Sequence, residues 1–126
     1  MSLIINNKIS FLFRASIAFI FLSHSIVRVV ENTIPEFAGF LASKAIPFSV
    51  SVVWGITIYE MGGSILLFLG YFVKWISIGF IALLVVGIFL IHLSNGWFVG
   101  EHGTGGLEYS FLLIIVLIAI VLEEKN

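Results

Sequence analysis

Four long apolar runs, at about 10–30, 48–69, 75–93 and 107–122, leave this chain very few folds. Each is on the scale of the roughly 20 residues that an α-helix needs to cross about 30 Å of hydrocarbon. None alternates apolar with polar residues, so a closed β-barrel is excluded. A helix is then the structure that satisfies every backbone N–H and C=O inside lipid. Composition agrees. Of the 126 residues, 60% are hydrophobic and 10% charged, with a mean hydropathy of +1.20. Soluble domains average roughly 45–50% apolar and about 25% charged residues, and a chain this short could not bury such an excess away from water. The expected fold is all-α: an integral membrane four-helix bundle with four transmembrane spans, one membrane domain over residues 1–126, with the lipid bilayer as its first partner.

The separators read as loops. Glu31 to Pro47 contains both prolines, Pro35 and Pro47, with two glutamates and Lys44. Gly70 to Lys74 is a tight turn. Ser94 to Gly106 reads SNGWFVGEHGTGG and is broken by glycine. The first run is followed by no convincing small-residue cleavage site, so it reads as a retained span rather than a signal peptide. Lys8, Arg14, Lys74 and Lys125 fall on one side; Arg28 and Lys44 fall on the other, along with Glu31, Glu36, Glu101 and His102. The positive-inside rule then puts both termini in the cytoplasm and both longer loops outside, in a bacterial inner membrane. Gly55, Gly62, Gly63, Gly79 and Gly87 are expected to let helices approach closely, and Trp54, Tyr71, Trp75 and Trp97 to mark the interfaces.

Several function classes fall away at once. A net charge of −1 with scattered basic residues excludes nucleic acid as a partner. The absence of cysteine removes disulfides, thiolate catalysis and Cys-ligated metal centres. Any redox chemistry therefore belongs to a bound cofactor or to another subunit. No His-x-x-x-His or Glu-x-x-His pair occurs, so no metal site is expected, and the glycines of 100–106 follow no strand that would make them a nucleotide fingerprint.

What remains is a set of ionisable groups at membrane depth, where each is costly and normally faces the bundle interior with a partner. They are His24 and Arg28 in the first span, Glu60 in the second, His92 ending the third and Glu108 opening the fourth. His24 and Arg28 are four residues apart and share a helix face; stepping down through Phe21 and Ile17 to Arg14 gives a polar-edged stripe expected to avoid lipid. At 1.5 Å per residue, His24 lies about 21 Å and Arg28 about 27 Å above an inner boundary at Ser10, while Glu60 lies about 18 Å below the outer one. Together with His92 and Glu108 they describe a polar track from the outer surface to Glu60. Blander roles stay open. Arg28 can snorkel, His92 can be interfacial, Glu108 can meet a helix dipole, and the whole set can serve as hydrogen-bond glue between helices.

Three stretches carry a family resemblance: FRASIAFIFLSHSIVR at Phe13 to Arg28, WGITIYEMGGSILLFLGYF at Trp54 to Phe72, and NGWFVGEHGTGGLEYSFLL at Asn95 to Leu113. With them the chain resembles the DoxX family of small bacterial membrane proteins. The resemblance implies a four-helix bundle and, through the family's tie to a thiosulfate:quinone oxidoreductase, a part in membrane oxidoreductase complexes. His24, Arg28, Glu60, His92, Glu108 and Tyr109 all fall in or beside the matching stretches. The leading expectation is a membrane subunit of an oxidoreductase with a quinone-type or other lipophilic partner and other redox subunits. Glu60 and His24 would handle protons or orient the head group, Arg28 would hold an anionic group or pair with Glu60, and His92, Glu108 and Tyr109 would contact ligand or partner. The alternatives are a small proton-linked carrier, expected as a homo-oligomer because four short helices enclose little volume, and a non-catalytic assembly or anchoring protein.

Overall fold

The computed structural model describes residues 2–92, 96–97 and 107–123, with side chains for 8–90, 96–97 and 107–123. Among these every element is helical: α1 (Ser2–Val30), α2 (Ile34–Ser43), α3 (Ser49–Leu69), α4 (Val73–Gly87) and α5 (Glu108–Glu123). A π-helical turn, Ile88–His92, prolongs α4. Among the described residues, three stretches are long and apolar enough to cross a bilayer, Lys8–Val30, Ser49–Leu69 and Val73–Leu90. α5 has 16 residues, about 24 Å of helix.

The segment expected to be a loop between the first two spans contains a helix. In α2, Pro35 stands in the first turn, where a missing N–H costs nothing because that donor has no intrahelical acceptor. Proline here starts a helix rather than breaking one. Ile34, Ala38 and Leu41 form its buried stripe, at the spacing that puts them on one face, and α2 packs on α3. Its C-terminal carbonyls are closed locally. Lys44 and Ile46 N–H donate to Leu41 O, and Ala45 N–H donates to Ala42 O.

The chain forms two compact units, one running from Ala15 to Tyr71 and the other comprising 1–14 with Phe72 onward. The first holds most of α1, all of α2 and all of α3. Its buried positions on α3 are Val53, Thr57, Glu60, Ser64 and Leu67, a stripe at steps of three and four residues that is polar in its middle, with Gly63 beside it. In the second unit α4 packs against α5, with Val73, Ile76, Ser77 and Phe80 buried on one helix and Ser110, Leu113, Leu117 and Ile120 on the other. Leu107 and Glu108 N–H donate to Gly96 O and Trp97 O, and the Trp97 ring lies 5.4 Å from that of Phe111. The tight turn between α3 and α4 is made by Gly70 (φ 91°), which caps α3 in the left-handed region, and by Phe72 (φ 54°).

The expectation for the glycines is only partly met. A Cβ placed on Gly55, Gly62 or Gly87 would meet no atom within 4 Å, so these three are not points of close helix approach, whereas Gly63 is buried. Trp54, Tyr71, Trp75 and Trp97 are all exposed near helix ends, as interfacial aromatics are.

Candidate functional site

The polar centre of the first unit is built around Arg28. Its Nη1 donates to Glu60 Oε1 at 2.6 Å and to Thr57 Oγ1 at 3.0 Å. Thr57 and Glu60 lie three residues apart on α3 and so present side by side. The Thr57 hydroxyl donates in turn to Val53 O at 2.8 Å, which leaves its oxygen lone pairs directed at Arg28. Phe37 of α2 covers the guanidinium face, with its ring centroid 5.2 Å from the Arg28 Cζ. The connection into α2 is fastened to the same residue, since Thr33 N–H and Oγ1–H both donate to the Arg28 carbonyl. Residues from α1, α2 and α3 therefore converge on one arginine.

This contact revises the depths read from the sequence. Glu60 is about 16 Å along α3 from Ser49, whereas Arg28 is about 3 Å from the end of α1 at Val30. Counting each span from its own boundary put them at very different levels, yet their side chains touch. The end of α1 therefore lies level with the middle of α3, to within the reach of an arginine. Depth counted along each helix from its own boundary does not hold for this pair.

His24 also departs from expectation. Ile17 and Phe21 are buried, but the next position in the stripe is Ser25, fully buried with its hydroxyl on Leu22 O at 2.9 Å. His24 stands one position to the side and is exposed. It remains near enough to act electrostatically on Glu60, as Arg28 does. Among the described residues no cluster of His, Asp and Glu suits a metal ion. Thr57 and Phe37 were missed by sequence reasoning. Thr57 carried a usable signal, its three-residue spacing from Glu60; Phe37 carried none, because its helix was read as loop.

The remaining expected site residues are in the other unit. Glu108 opens α5 in its first turn, where a carboxylate is favoured by the helix dipole, and Tyr109 is exposed. The backbone of His92 closes the π turn, but its side chain lies outside the described residues, as do Glu101, His102 and Lys125.

Apolar helices of spanning length, with an ion pair buried between two of them, define a multi-pass helical membrane protein. More particularly, the chain belongs to the DoxX family, whose model matches residues 9–93, well over half of it. The match takes in His24, Arg28, Thr57, Glu60 and His92 and ends before Glu108 and Tyr109. No curated protein and no solved structure matches the chain.

Proposed function

We propose that this protein is a membrane subunit of an oxidoreductase system that holds the carbonyl head of a quinone-type lipophilic partner at Arg28, beside Glu60. One observation carries the reading. Among the described residues, both hydrogen bonds that the Arg28 side chain makes leave from Nη1, and Phe37 covers the guanidinium face. A guanidinium has five N–H donors, so the edge formed by Nε and Nη2 retains donors for a carbonyl oxygen. The Arg28 side chain as a whole is 15% exposed. Glu60 and His24 then supply and accept protons as electrons arrive from a redox partner, because the chain has no cysteine of its own.

The wider arrangement proposed is one membrane domain with four spans, α5 being the fourth. Both termini are cytoplasmic at a bacterial inner membrane, supported by the bias of Lys8, Arg14, Lys74 and Lys125 to one side. His92, Glu108 and Tyr109 are proposed as contacts for a partner subunit.

Protein purified from its native membrane is expected to carry quinone, and Glu60→Gln to lose it while remaining folded. Wild-type protein that carries none and takes up none when it is added would overturn the proposal. A second reading, a non-catalytic assembly protein, is favoured by the mutual satisfaction of Arg28, Glu60 and Thr57. It requires that Glu60→Gln impair assembly and leave turnover of the assembled complex unchanged.

A further inference from the structure

The ion pair is mostly covered. The Arg28 and Glu60 side chains are 15% and 8% exposed. α1 and α3 carry the pair, and α2 lies over it, with the Phe37 ring centroid 5.2 Å from the Arg28 Cζ. Fuller contact between Arg28 and any other molecule needs one of these helices to give way. α1 and α3 contain stretches of spanning length, whose backbones are committed to lipid; α2 is not.

α2 depends on its packing. It runs only from Ile34 to Ser43, shorter than the roughly 12–15 residues below which an isolated helix is marginal in water. It packs on α3 and buries Ile34, Ala38 and Leu41. Its far end is strained: Ala45 (φ 64°) and Phe48 (φ 53°) are both in the left-handed region, where a Cβ crowds the following carbonyl oxygen. Release from α3 lets both return to ordinary backbone. The near end is pinned, since Thr33 N–H and Oγ1–H donate to the Arg28 carbonyl.

In water, release would expose the buried stripe. At a bilayer surface it need not. Glu36, Gly39 and Ser43 are exposed on the side of α2 opposite that stripe, and residues 44–48 alone separate the helix from Ser49, where α3 begins. An amphipathic helix at that level can lie in the interface with its apolar face at the acyl boundary. The docked and released positions then differ little in the apolar surface they leave to water.

We infer that α2 is a lid over Arg28 and Glu60, closed when docked on α3 and open when it lies in the membrane interface. It pivots at Thr33, and Ala45 to Phe48 absorb the change of direction. Phe37 is the latch, leaving the guanidinium as the lid lifts. The inference rests on the reading of Arg28 as a head-group site only for what the lid admits, a quinone-type molecule arriving through the lipid; the motion stands apart from that reading.

The chain has no cysteine, so an engineered pair reports on the lid alone. Gly39→Cys on α2, where a Cβ meets no atom within 4 Å, and Ile58→Cys on the exposed side of α3 take spin labels. Pulsed electron paramagnetic resonance then reads the distance between them in full-length protein in lipid nanodiscs. Two distances are expected, the second from a minor open state of roughly 0.1–10%. Phe37→Ala should raise the open fraction about tenfold, the scale of a lost cation–π contact. Ala45→Gly should lower it by up to about fivefold, because glycine relieves the docked state. A single distance that neither substitution divides would overturn the lid. Stopped-flow binding of a decyl-substituted benzoquinone should quicken in Phe37→Ala and slow in Ala45→Gly, and equal rates would overturn the lid as the way in. Protein that shows both distances but takes up no quinone would overturn the head-group reading and leave the lid standing.

Discussion

Arg28 Nη1 lies 2.6 Å from Glu60 Oε1, in a pair whose side chains are 15% and 8% exposed. Removing one member of such a pair strands a charge and typically costs about 3–5 kcal/mol, whereas replacing both with apolar groups is often neutral. Glu60→Ala and Arg28→Ala should therefore each lower stability by about 3 kcal/mol, and Arg28→Met combined with Glu60→Met should recover most of the loss. Equilibrium unfolding in mixed micelles measures this. A double variant no more stable than either single one would contradict the pairing as the main polar contact of the unit.

Thr57 accepts from Arg28 while donating to the Val53 carbonyl. Thr57→Val keeps the shape and removes the acceptor, with an expected loss of about 1.5–3 kcal/mol, the range for hydrogen bonds to charged groups. Thr57→Ser keeps the hydroxyl and should lose less than half as much. Comparable losses in the two variants, by the same unfolding measurement, would show that the methyl group and not the oxygen matters.

Phe37 contributes through its ring face. Phe37→Leu should cost about 0.5–2 kcal/mol beyond any packing loss, and Phe37→Trp should hold or strengthen the contact, since indole is the better cation–π partner. In the Arg28→Met background the difference between Leu and Trp at 37 should vanish. A difference that persists there would assign the effect to packing alone.

Much of this arrangement could be read in the chain, and the remainder was hidden for identifiable reasons. The apolar runs revealed the helices α1, α3 and α4 because lipid imposes one solution on a long apolar segment. Glu60 and Arg28 stood out because charge is rare at such positions. α2 was concealed by Pro35, which signals a break in the middle of a helix and a beginning in its first turn. Once α2 was missed, the role of Phe37 could not follow. His24 was placed on the wrong side of its helix by one step. A face defined from His24 and Arg28 alone overlooks Ser25, which carries the buried stripe.

Ala45, between α2 and α3, holds φ at 64°, a left-handed conformation that costs an ordinary residue roughly 1–2 kcal/mol. Ala45→Gly removes that cost and loosens the unfolded chain, an opposing effect of about 0.4–1 kcal/mol. The net expectation is a gain of up to about 1 kcal/mol, seen as a higher unfolding midpoint. A lower midpoint would mean that the Ala45 methyl group makes a stabilising contact.

The π turn at Ile88–His92 has a consequence for every helical-wheel drawing of the third span. A π turn takes one residue more than the regular spiral, so the backbone beyond Gly87 falls out of phase with α4 by about one step, or roughly 100°. Residues that a wheel would align with the buried Ile76 and Phe80 are not in line with them past that point. The azimuth of position 92 has to be taken from the turn itself, and designs that splice, shorten or label this span must keep the extra residue to preserve it.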